Sequence, residues 1–245
     1  CGADMLPDPD HAAALITPAT RAIVLVTPNN PSGAEYPADL VGRFFDLAQA
    51  HGIALVVDET YRDFDSRDGA PHDLLTRPDW DGTLIQLYSF SKAYRLTGHR
   101  VGAIVAGIER LQQVEKFLDT VAISPSQLGQ IGAVWGMEHL QDWLAGERAE
   151  ILARRAAAAA ALGALPGWRL KSAGAYFAWV EHPFAEGSAD LARRMVRDAG
   201  VLALPGTMFT PEGDATGPRH LRIAFANVDA AGIVALADRL AGLSA

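Results

Sequence analysis

The chain of 245 residues has a single cysteine, Cys1, so no internal disulfide framework can form and a reducing compartment suits it. Positive charge is also in deficit: 21 Lys and Arg stand against 29 Asp and Glu, for a formal net charge of −8. A general nucleic-acid binder needs a basic face to neutralise phosphates, and this composition argues against one. No apolar run approaches the roughly 20 residues of a membrane-spanning helix. The seven histidines are scattered, with no His-x-x-x-His or Cys-x-x-Cys pair, so no metal site is expected. What is present, 49% hydrophobic and 20% charged residues, is the profile of a soluble globular protein, expected in the cytoplasm.

The chain opens on Cys1 rather than Met, and the polar stretch Asp4 to His11 offers no first element. The expectation is a fragment whose upstream part is missing. Beyond it, periodicities alternate. "RAIVLVTP" (Arg21 to Pro28) is a short continuous apolar run, read as a strand buried on both faces. Leu40, Phe44, Leu47 and Ala48 recur at helical spacing between Pro37 and His51, and Gly52 supplies a stop. "IALVVDE" and "GTLIQLYS" read as further strands, "VGAIVAG" (Val101 to Gly107) as another, and Glu109 to Leu118 as a helix. This grammar predicts a mostly parallel α/β sheet.

The second half differs. Leu140 to Leu165 reads as one long helix, because its alanine run is the best of helix formers. "GAYFAWVE" reads as a strand, Asp190 to Ala199 as a helix, Pro205 to Gly217 as a loop, "HLRIAFA" as a strand, and a closing helix carries Ile233, Leu236, Ala237 and Leu240 on one face. The predicted organisation is a large α/β domain over residues 1–155 and a smaller α+β domain over 156–245, joined by the long helix.

In parallel α/β sheets ligands sit at the carboxyl ends of strands. Here those ends run into "TPNNPSG", "DETY" and "SFSK", which present Asn30, Asp58, Tyr61, Ser89, Ser91 and Lys92. Each has a plainer reading: Asn30 as a turn residue, Asp58 as a helix cap, Tyr61 as a core aromatic, the serines as loop hydroxyls. Joint placement favours a shared role, because the plain explanations are independent of one another.

The set "NNPSG", "VVDETY", "SFSKAYRLTGHRVG" and "LRIAFAN", in this order, resembles the class I/II aminotransferases, pyridoxal-phosphate (PLP) enzymes of the aspartate-aminotransferase fold. The likeness covers nearly the whole chain, and the Ser-x-Ser-Lys segment with its arginine eight positions on is its most specific part. The resemblance implies transfer of an amino group between an α-amino acid and a 2-oxo acid by a ping-pong route. It implies that Lys92 forms a Schiff base with the cofactor aldehyde and that Asp58 pairs with the pyridine nitrogen, keeping the ring an electron sink. Asn30 and Tyr61 would hydrogen-bond the ring's phenolate oxygen, and Ser89, Ser91 and Arg100 would bind the phosphate. Arg222 in "RHLRIAF" would receive the substrate carboxylate as a bidentate pair, with Arg219 as the competing candidate. His99 is read as structural, and "GAYF" (Gly174 to Phe177) as lining the substrate entrance.

The family also implies a homodimer with shared active sites, and a phosphate loop and ring-stacking aromatic upstream of Asn30 that this chain does not show. Enteric-type aspartate aminotransferases use a partner-subunit arginine in the segment corresponding to Phe117 to Gln127, and "FLDTVAISPSQ" contains none, which counts against that branch. Two other readings share the lysine and aspartate: a PLP-dependent lyase, decarboxylase or synthase, and an aminotransferase-like sensor domain of a transcriptional regulator.

Overall fold

A computed structural model describes Gly2 and Asp4–Leu243; Cys1, and with it the reading of the lone cysteine, lies outside these residues. The chain divides into two compact units. One comprises Pro7–Pro28 and Glu35–Arg148; the other comprises Ala149–Ala245 with Cys1–Leu6 and the short segment Asn29–Ala34.

In the first unit, α1 (Pro9–Leu15), β1 (Ala22–Val26), α2 (Ala38–Ala50), β2 (Ala54–Asp58) and β3 (Leu84–Ser89) are followed by β4 (Gly102–Ala106), α3 (Ile108–Val121) and α4 (Gln127–His139). The sheet has the order β1-β2-β3-β4, its first two pairings parallel and the last antiparallel. The predicted mostly parallel α/β sheet is therefore present, with β4 running against it. α2 forms because Leu40, Val41, Phe44, Phe45 and Ala48 fall on one buried face. Each such large side chain removed from water contributes about 1.5–3 kcal/mol.

Two expectations need correction here, and one element has no counterpart among them. The polar start does contain an element: Asp8 caps α1, accepting from the backbone N–H of Asp10 and His11, with Pro9 in its first turn. β1 is not buried on both faces. It is an outer strand of the four, and Val24 is 63% exposed. The apolar run in α4 was not read as an element at all.

The boundary between the units falls inside α5 (Gln141–Gly163), the long helix expected from Leu140 to Leu165. The second unit continues with β5 (Arg169–Gly174), β6 (Phe177–Glu181), α6 (Ser188–Arg194), β7 (Leu204–Pro205), β8 (His220–Ala224) and α7 (Ala230–Ala241). Its sheet is antiparallel, ordered β5-β6-β8-β7. "GAYFAWVE" is thus not one strand: β5 ends at Gly174, the chain turns through Ala175 at φ 46, and β6 begins at Phe177. The core joins Leu162, Val180, Leu191, Met195, Leu221, Ile233 and Leu240, so the predicted apolar face of α7 is the one that packs.

Candidate active site

β2 ends in Asp58, with Leu87 of β3 as its register partner on one side and Val26 of β1 on the other. The chain then turns sharply. Thr60 donates to Asp58 Oδ1 from its backbone N–H (3.0 Å) and from its hydroxyl (2.6 Å), and the N–H of Arg62 donates to the Glu59 carbonyl at 3.0 Å. The turn buries Tyr61, and Lys92 Nζ lies 5.8 Å from the Tyr61 ring centroid, within cation–π range.

β3 ends in Ser89 and passes into a loop closed on itself. The N–H of Ser91 donates to Ser89 Oγ at 3.3 Å, and Leu96 N–H donates to the Phe90 carbonyl at 3.1 Å. Thr97 donates its hydroxyl to the Ser91 carbonyl at 2.8 Å. Arg100, left-handed at φ 53, donates from one terminal nitrogen to the Thr97 carbonyl (2.9 Å) and to Ser91 Oγ (3.4 Å). The loop returns the guanidinium to the Ser91 hydroxyl nine positions back, and Ser91 is tied in turn to Ser89 through its backbone N–H. Thr97 was missed; its signal was a hydroxyl ahead of glycine inside "RLTGHR".

Behind Asp58, the Glu59 carboxylate is fully buried. It accepts from the Gln86 side-chain amide on β3 and from Arg62 at 3.4 Å, and His72 Nε2 lies 3.3 Å from its other oxygen. His72 Nδ1 accepts from the Leu74 N–H at 3.3 Å, which puts the ring proton on Nε2, toward the carboxylate. Burial pushes the Glu59 carboxyl up, but the His72 and Gln86 contacts and the Arg62 charge outweigh it, and its pKa is lowered from the ordinary 4.5. A carboxyl with a depressed folded-state pKa stabilises the fold above the unfolded value, and that contribution is lost as pH falls through the folded value. Thermal melting should therefore be flat above about pH 5 and fall with acidification below the ordinary glutamate range. Glu59→Gln should cost about 1–3 kcal/mol at neutral pH and flatten that acid limb. An unchanged acid limb would assign it to other carboxylates.

In the second unit, Asn30 sits on the segment Asn29–Ala34. The N–H of Gly33 donates to the Asn29 carbonyl at 2.6 Å, the Ser32 hydroxyl donates to Asn29 Oδ1 at 2.8 Å, and the Asn30–Pro31 bond is cis. Gly33 adopts φ +74 against Gly174 at the end of β5; a Cβ on Gly174 would stand 1.9 Å from the Gly33 carbonyl oxygen, so both positions require glycine. Ser172 donates its hydroxyl to the Ser32 carbonyl at 2.5 Å. The result sets Asn30 Oδ1 2.6 Å from a terminal nitrogen of Arg222, which donates to it across 192 residues of sequence. Arg222 pairs in register with Trp179 of β6 and Leu204 of β7, and its guanidinium carbon lies over the rings of Phe177 (4.6 Å) and Phe209 (4.9 Å). Phe209 was not singled out from the sequence. Arg219, in contrast, donates to the carbonyls of Phe184 (2.7 Å) and His182 (2.9 Å). His99 is exposed.

The donor sets fit PLP. Two hydroxyls and a guanidinium match a phosphate, a carboxylate at a strand end matches a protonated ring nitrogen, and Lys92 is the one partly sheltered lysine of three, Lys116 and Lys171 both being exposed.

Residues 3–240 match the sequence profile of aminotransferase class I and II. The chain belongs to that family. It is 29% identical over 230 residues to an aspartate aminotransferase of Pyrococcus horikoshii, covering 91% of this chain and 56% of that protein. It is 31% identical over 204 residues to an aromatic amino acid aminotransferase of Mycobacterium tuberculosis, covering 81% and 56%. The chain thus spans about half the length of these curated relatives. Among solved structures, N-succinyldiaminopimelate aminotransferase of Mycobacterium tuberculosis superposes with a TM-score of 0.89 at 23% identity, over 100% of this chain and 64% of that one. A mutant aspartate aminotransferase of Thermus thermophilus superposes at 0.83 with 25% identity, over 96% and 63%. The aminotransferase fold anticipated from the motifs is therefore present.

Proposed function

We propose that the protein is a PLP-dependent aminotransferase that moves an amino group between an α-amino acid and a 2-oxo acid in two half-reactions. The observation that carries this reading is the closed loop after β3, in which Ser91 links the Ser89 hydroxyl to the Arg100 guanidinium and Lys92 lies beside Tyr61. When bound, PLP supplies an aldehyde and an electron-withdrawing ring. Ser89 and Ser91 would donate hydroxyl hydrogens to its phosphate, and Arg100 would add a charge-assisted fork. Asp58 would hold the proton on the ring nitrogen, and Tyr61 would donate its phenol hydrogen to the ring oxygen. Lys92 Nζ would supply the nucleophilic amine for that aldehyde and the base that takes and returns the α-proton of the substrate.

Arg222 receives the substrate carboxylate. Support comes from its contact with Asn30, whose Oδ1 accepts from the guanidinium and so leaves the amide N–H groups as donors toward a ligand. Arg219 is a poorer candidate because two backbone carbonyls hold its guanidinium. A homodimer in the cytoplasm completes the reading, supported by the acidic, cysteine-poor composition and by family membership.

The test is a panel of amino donors, including aspartate and aromatic amino acids, against pyruvate and 2-oxoglutarate. Transfer dependent on the oxo acid is expected; product release without an acceptor would mark a lyase instead. Arg222→Ala should retain the visible absorbance of bound PLP. Loss of a partly desolvated, charge-assisted contact costs about 2–5 kcal/mol, so kcat/KM should fall roughly thirty- to several-thousand-fold. Lysine at this position should restore activity only in part, since a point charge cannot reproduce the fork. Unchanged kcat/KM would return the carboxylate to Arg219 or another cation.

A further inference from the structure

We infer that Phe177 and Phe209 are positioning residues that restrict the Arg222 site to planar carboxylates and turn away tetrahedral oxyanions such as phosphonates. The inference rests on the reading above, in which Arg222 receives the substrate anion. Both rings lie within cation–π range of the guanidinium carbon, at 4.6 and 4.9 Å.

The rings are themselves held. Phe177 is 3% exposed at the start of β6, in register with Ala224, two residues along β8 from Arg222. Phe209 follows the turn Gly206–Met208 and donates its N–H to the Gly206 carbonyl at 2.9 Å. A Cβ on Gly206 would stand 2.4 Å from the Gly217 carbonyl oxygen, so that turn lies hard against the segment leading into β8. Trp179 meets the edge of Phe209 at 6.0 Å and stacks on His220 at 5.3 Å. Backbone contacts and the buried Phe177 and Trp179 therefore hold both rings beside the guanidinium.

A clamped fork selects by shape. A carboxylate accepts two parallel N–H bonds within the guanidinium plane, and neither of its oxygens leaves that plane. A phosphonate in the same fork carries a further oxygen out of plane, where the electron-rich faces of Phe177 and Phe209 repel it and exclude its water. Charge alone predicts the opposite order, because a phosphonate carries at least as much negative charge near neutral pH. A preference for carboxylate would therefore report the rings and not the arginine's charge.

The experiment is calorimetric titration of the full-length, PLP-loaded protein with 3-phenylpropionate and its tetrahedral counterpart 2-phenylethylphosphonate. Wild type should bind the carboxylate at least about tenfold more tightly, a difference of about 1.4 kcal/mol. Phe209→Leu should weaken the carboxylate about three- to thirtyfold and compress the preference to within about threefold. Phe209→Tyr, which keeps a ring face, should retain the preference. If Phe209→Leu melts below the assay temperature, Phe209→Met supplies similar volume without the ring. A wild type that binds the phosphonate as well as the carboxylate, or binds neither, overturns the inference, as does a ratio unchanged in both ring-less variants. Absence of amino transfer together with an intact ratio would strike the proposed reaction and leave the clamp standing.

Discussion

Lys92→Ala is expected to abolish amino transfer, with kcat lowered by at least about ten-thousandfold. Proton transfer by a positioned side chain is worth about 10²–10⁴ on its own, and Lys92 is assigned the covalent step as well. Lys92→Arg should be equally inactive, because a guanidinium stays protonated and cannot act as a nucleophile. Cofactor affinity should fall without vanishing in either variant, since Ser89, Ser91 and Arg100 keep their mutual contacts. Location can be read separately from activity. Borohydride reduction of the PLP-loaded protein followed by peptide mapping should place the pyridoxyl group on Lys92. Within these 245 residues the alternatives are Lys116 and Lys171. Lys116 is exposed on α3, within 3.3 Å of the Gln113 side chain, and Lys171 is exposed on β5. A label on either would remove the assignment of Lys92.

How much of this was legible in the sequence depends on the range of the interactions. The three parallel strands announce themselves because short β-branched runs end in polar clusters, and Asp58 and Ser89 stand at their last positions. The loop from Ser91 to Arg100 is also local, so its composition carries its chemistry. The Asn30–Arg222 contact is not local, and only the resemblance put those two residues into one account. Phe209 was invisible for the same reason: it lies in a Pro/Gly loop, and its contact with Arg222 of β8 is set by how that loop folds back. Glu59 was read as one letter of "DETY", although its burial depends on Gln86 and His72 from other segments. β5 went unread because "RLKSAG" is partly exposed and lacks a run of large apolar residues. β1 was misread because an apolar run does not reveal whether both faces of a strand are covered.

Asp58→Ala is expected to lose nearly all activity, and the structure makes clear which variant separates catalysis from folding. Asp58 serves a local turn, since Oδ1 accepts both the N–H and the hydroxyl of Thr60. A helix-cap or turn role alone would explain its presence, and alanine would disturb the turn and the cofactor contact together. Asparagine does not: its Oδ1 can still accept both Thr60 donors, so Asp58→Asn should melt within a few degrees of wild type. What asparagine lacks is the charge that keeps a ring nitrogen protonated. Without it the cofactor is a weaker electron sink, and loss of one member of a charge-assisted pair is worth about 2–5 kcal/mol. The asparagine variant should therefore fold normally and turn over roughly thirty- to several-thousand-fold more slowly. Asp58→Glu keeps the charge on a longer arm and should retain part of the activity. Near-native turnover in the asparagine variant would reduce Asp58 to the turn it caps; slow turnover with an unshifted melting curve would assign it to the ring nitrogen.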